Sequence, residues 1–135
     1  MSVQIKSLTN NAPVRDLSLA APLDTFNIIP SANQVYDLYT APNESSNKKA
    51  AIVKSIRLTN ILAQTVDISL YLNKPTANGL NRRRLLAPKG LLIPQKGAYI
   101  DDAEITLEPG DKIQAESGTA MAIHYVISGV ERDAT

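Results

Sequence analysis

Hydrophobic and polar residues alternate through much of this chain. Val66, Ile68, Leu70 and Leu72 share one parity, and Asp67, Ser69, Tyr71 and Asn73 share the other. Period two over that length predicts a strand with one buried face. Upstream, Ile52, Ile56 and Leu58 oppose Ser55, Arg57 and Thr59. Lys54 falls on the apolar parity, which predicts a bulge or an edge at that point. The link Asn60-Ile61-Leu62-Ala63-Gln64 is short enough for a hairpin joining the two strands. Ile52, Val53 and Ile56 also fit helical spacing, so a helix over 50–60 is the competing reading.

The C-terminal half repeats the pattern. Ile105 and Leu107 mark a short strand, and Glu108-Pro109-Gly110-Asp111 places Pro and Gly as a type II turn requires. Ile113 and Ala115 then alternate with Lys112, Gln114 and Glu116, and Ser117-Gly118-Thr119 turns the chain again. In the last strand Met121, Ile123, Tyr125 and Ile127 face one way, and Ala122, His124, Val126 and Ser128 the other. A strand largely apolar on both faces is either central in a sheet or part of a subunit contact.

Eight prolines and six glycines break the chain into short segments, with turn signals about every ten residues from Gln34 to Glu131. This predicts an all-β fold, a single antiparallel sandwich of the jelly-roll or immunoglobulin-like kind over residues 34–135. Residues 1–33 read differently. Asn10-Asn11-Ala12-Pro13 and Ile29-Pro30-Ser31-Ala32-Asn33 are loop-like, and Leu17, Leu19 and Leu23 alternate between them. The expectation is an extended arm that adds a strand to its own sheet or a neighbour's, with those leucines in protein contact.

Composition narrows the chemistry. The chain has 135 residues, a net charge of +1, no cysteine, no tryptophan, one phenylalanine and one histidine. Leu, Ile, Val and Ala must therefore fill the core. The absence of cysteine excludes disulfides, thiolate metal sites and cysteine nucleophiles. A single histidine excludes multi-histidine metal sites within one chain. Near-neutral charge argues against a nucleic-acid-coating protein. Without an apolar leader or a long apolar run, the expected setting is a cytosol, with no membrane partner.

Three groups remain to be weighed. His124 lies mid-strand with no triad motif around it, so it reads as a packed or half-exposed strand residue. Asp101, Asp102 and Glu104, with Asp111 nearby, are carboxylates that a hard cation could use, but they lack EF-hand spacing and read as a solvated strand entry. Arg82, Arg83 and Arg84, with Lys74, Lys89 and Lys96, could form a positive patch. No aromatics interleave with it, so an acidic protein surface suits it better than a single strand of nucleic acid. No catalytic, cofactor-binding or metal-ligating residue is assigned, and no cofactor is expected.

Val35-Tyr36-Asp37-Leu38-Tyr39-Thr40-Ala41-Pro42, followed by Lys49 to Asn60, resembles the opening of small β-sandwich virion proteins of tailed bacteriophages. Leu107-Glu108-Pro109-Gly110-Asp111-Lys112-Ile113-Gln114-Ala115 and the closing Ile127-Ser128-Gly129-Val130-Glu131 resemble their ends. The likeness spans about residues 34–131. It implies a non-enzymatic virion structural role, such as capsid decoration or cement, or another head or tail accessory, made in the host cytoplasm. The expected partners are other copies of the chain, with a trimer as the expected number, and capsid or tail proteins. The rival expectation is a host-recognition or carbohydrate-binding module using Tyr36, Tyr39, Tyr71, Tyr99 or Tyr125.

Overall fold

A computed structural model of the chain describes residues 3–7, 14–15 and 27–134. Among the described residues every regular element is a strand. Two lie near the start, β1 (Val3–Ser7) and β2 (Val14–Arg15). The rest are β3 (Val35–Thr40), β4 (Asn43–Glu44), β5 (Asn47–Asn60), β6 (Val66–Asn73), β7 (Arg83–Leu85), β8 (Leu91–Ile93), β9 (Ala98–Asp101), β10 (Ile105–Leu107), β11 (Lys112–Ser117) and β12 (Ile123–Asp133). Residues 50–60 are thus extended, not helical.

The strands form two antiparallel sheets that share one core, a β-sandwich. In the first the order is β1-β12-β5-β10, with β9 and the short β4 also on β5. In the second it is β2-β3-β11-β6-β7, with β8 also on β6. β9 and β10 lie end to end along β5, opposite residues 56–59 and 51–53. β7 and β8 do the same along β6. When each such pair is counted as one broken strand, and β2 and β4 are set aside, the first sheet reads first, eighth, third, sixth. The second reads second, seventh, fourth, fifth. This is the strand order of a jelly roll.

The hairpin expected at residues 60–64 does not form. β5 and β6 belong to different sheets, and the link crosses the roughly 10 Å between them. Asn60, fully buried at the end of β5, organises the crossing. Its Nδ2 donates to the Gln64 carbonyl at 2.6 Å and the Ile93 carbonyl at 3.0 Å, while its Oδ1 accepts from Leu62 N at 2.9 Å.

Lys54 is a bulge. Ser128 pairs with Ser55 and Gly129 with Val53, leaving Lys54 unpaired between them. The extra residue shifts the parity of β5, so Val53 and Ala51 point inward while Ile52 is only half-buried. On the far side of β5 the break between β9 and β10 falls at the same level, and Lys54 pairs there with Glu104.

The core is aliphatic as composition requires, with Val53, Ile56, Leu58, Ile68, Leu70, Ile113, Ile123 and Ile127 at 0–1% exposure. Each such side chain contributes roughly 1.5–3 kcal/mol on leaving water. The core also takes residues from the segment read as an arm: Ile29 is fully buried and Ile28 nearly so. Ile29 N donates to the Ile123 carbonyl at 3.0 Å, and Tyr125 N to the Asn27 carbonyl at 3.0 Å. Residues 27–29 thus flank the start of β12, and β1 flanks its far half from Ser128 to Arg132. β12 is central, one of the two placements its sequence allowed.

Candidate functional site

The three arginines do not form one continuous cluster. The turn before β7 brings Asn73, buried at the end of β6, against the chain: its Oδ1 accepts from Arg82 N at 3.1 Å and its Nδ2 donates to Asn81 Oδ1 at 2.9 Å. The strand that follows alternates its side chains. Arg82 and Arg84 are exposed, and each bonds a main-chain carbonyl, of Lys74 at 2.9 Å and of Arg83 at 3.0 Å. Arg83 is half-buried and turns across the outer face of the second sheet, its Nε 2.8 Å from Gln114 Oε1. Gln114 passes the contact on to Asp37, 2.7 Å from its Nε2, and Lys112 closes the row at 2.9 Å from the other Asp37 oxygen. This chain of polar contacts explains why Gln114, on an outward parity, is fully buried.

Of the lysines grouped with these arginines, Lys74 pairs with Asp111 beside Arg82. Lys89 is exposed in the link between β7 and β8. Lys96 donates to the Ile61 carbonyl at 3.1 Å, at the opposite end of β6. Leu17, Leu19 and Leu23 lie outside the described residues.

The carboxylates separate as well. Asp101 Oδ1 accepts from Ala103 N at 3.1 Å, and Glu104 is engaged by Lys54. Asp111, nearly buried, caps its own turn by accepting from Glu108 N at 2.9 Å. Among the described residues no three His, Asp or Glu side chains are placed to hold a metal ion. No helix among them is long and apolar enough to cross a membrane.

His124 is exposed on the outer face of β12, with Thr59 as its cross-strand neighbour. Three of the five tyrosines are core residues: Tyr36, Tyr39 and Tyr125. Tyr71 and Tyr99 are half-buried. The Tyr39 hydroxyl donates to the Glu131 carboxylate. Burial first, and then this bond to a carboxylate and its charge, push the phenol well above its ordinary range. Burial alone does the same to Tyr125, whose hydroxyl has no hydrogen-bond partner among the described residues. Burial, with a smaller contribution from the Asp101 charge, raises Tyr99.

Residues that the sequence reading did not single out lie on the outer face of the first sheet. Register places Ile100, Arg57 and Val126 in one row across β9, β5 and β12. Ile100 is 55% exposed and Val126 49%. Alternation alone put Val126 on the outward parity. The row needs the pairing of β9 with β5, whose partners in the row, Ile100 and Arg57, are distant in the chain.

Compared with protein-family models, with curated proteins and with solved structures, the chain gives no match in any of the three.

Proposed function

We propose that this chain is a non-enzymatic structural protein of a tailed-bacteriophage virion, acting through protein–protein contacts as a capsid decoration or cement protein or another head or tail accessory. The observation that carries the reading is the jelly-roll strand order around a core of mostly aliphatic side chains, an architecture used by viral capsid domains. Such a body is rigid without a disulfide or cofactor, and many copies on one shell turn weak contacts into tight binding. The segments that resemble phage virion proteins form β3, β5, the turn between β10 and β11, and the last half of β12. On this reading the protein is made in the host cytoplasm, associates with copies of itself and joins the particle through capsid or tail proteins.

Lectin domains use the same architecture. A sugar-binding site stacks its ligand on exposed aromatic faces, and among the described residues only Tyr71 and Tyr99 are aromatics that are not buried. A glycan array separates the two readings, with no binding expected. The direct test is infection in the presence of tagged protein. The tag should travel with purified particles through a density gradient, in many copies per particle. A tag confined to the soluble lysate would overturn the proposal.

A further inference from the structure

We infer that the outer face of the first sheet binds a second copy of this chain, through the row Ile100–Arg57–Val126. The inference deepens the self-association included in the proposed function. Adjacent strands lie about 4.8 Å apart, so Ile100 and Val126 stand about 10 Å from one another with Arg57 between them. Both apolar side chains are about half exposed on the same sheet face.

Charge selects the occupant. Arg57 is exposed and forms no ion pair or side-chain hydrogen bond among the described residues. Asp102, two residues beyond Ile100, is exposed and unpaired in the same sense. Two neighbouring pairs on this sheet are already matched, Lys54 with Glu104 and Lys49 with Asp133, and the exposed Arg132 lies about 20 Å along β12 from Val126. The row therefore carries one spare cation between its apolar side chains and one spare carboxylate at its rim. A second copy of the same face supplies both complements at once, with Arg57 of each copy meeting an Asp102. A partner of a single charge sign would leave one of them facing like charge. Arginine between apolar side chains is also the composition enriched at protein interfaces. Edge-to-edge pairing is blocked on this side, because the break between β9 and β10 interrupts the edge with Asp102 and Glu104.

The test is light scattering of the full chain at micromolar concentration. The unaltered protein should run at a multiple of 14.6 kDa. Ile100→Asp with Val126→Asp should reduce it to a single chain with an unchanged β-type circular dichroism spectrum. Leu92→Asp, which places a charge at a 65% exposed position on the other sheet, should leave the assembly intact. Arg57→Asp and Asp102→Arg should each weaken association, and the two together should restore it. A monomeric unaltered protein, full assembly by the double aspartate variant, or failure of the reversed pair to restore association would overturn the inference. Self-association without co-purification with particles would reject the virion reading and leave this face standing. Particle binding by a protein that stays monomeric would do the reverse.

Discussion

The Tyr39 hydroxyl of β3 donates to the Glu131 carboxylate of β12, tying the two sheets together through the core. Glu131 is 4% exposed, and a carboxylate so placed is tolerated because it accepts hydrogen bonds. Removing this donor with Tyr39→Phe leaves a buried carboxylate with one bond fewer and should cost about 1–3 kcal/mol in urea denaturation. Tyr125→Phe is the matched contrast. Its hydroxyl is buried without a partner among the described residues, so losing it should leave stability unchanged or raise it by up to about 1 kcal/mol. Equal losses from the two variants would contradict this assignment of the two hydroxyls.

Both phenols make the fold sensitive to alkali. Their folded-state values are raised, while in the unfolded chain tyrosine titrates near 10. Below pH about 10 both states hold the proton and the stabilisation is complete. Above it the unfolded chain releases protons first, so stability falls as pH rises. Melting temperature should hold level from pH 8 to about 9.5 and then drop. The double variant Tyr39→Phe with Tyr125→Phe should flatten that drop, and an unchanged slope would place its origin elsewhere.

Gly129 sits opposite the Lys54 bulge, where the backbone of β5 comes close. A Cβ there would lie 2.2 Å from the Ile52 carbonyl oxygen, which belongs to a central strand and cannot swing away. Gly129→Ala should therefore cost about 1–3 kcal/mol or more. At Gly118 the obstructing atom is Asp67 Oδ1 at 2.0 Å, the free end of an exposed side chain. Gly118→Ala should cost less, under about 1 kcal/mol. Thermal melts of the pair check the order.

Two truncations distinguish added strands from core. Removing residues 1–26 keeps Ile28 and Ile29, whereas removing 1–33 strips both from the core. At roughly 1.5–3 kcal/mol per buried isoleucine, the longer deletion should be less stable than the shorter by about 3–6 kcal/mol. Similar denaturation midpoints for the two would show that residues 27–29 add nothing to the fold.

These residues also show where sequence reading reaches and where it stops. The bulge at Lys54 was legible because one lysine on an apolar parity disturbs a local period. The Glu108–Asp111 turn was legible because Gly110, at φ 90°, must follow Pro109. The crossing at 60–64 was not legible, since a five-residue link has the same composition whether it turns a hairpin or changes sheets. Ile29 read as the edge of a loop because its partner, Ile123, lies at the other end of the chain. Tyr39 and Glu131 are 92 residues apart, and neither carries a local mark of the other. The arginines read as one patch because adjacency in sequence hides the alternation that sends Arg83 to Gln114 and leaves Arg82 and Arg84 outside.

The central place of β12 sets a schedule for synthesis. The first sheet has β1 on one side of this strand and β5 on the other, so its earliest and middle strands have nothing to join them until residues 123–133 have left the ribosome. Pairing between distant strands is slow in any case. Here it also waits for the last strand of the sheet, so a chain stalled before Ile123 should remain open to protease. A chain that has emerged through Asp133 should become resistant all at once and not strand by strand.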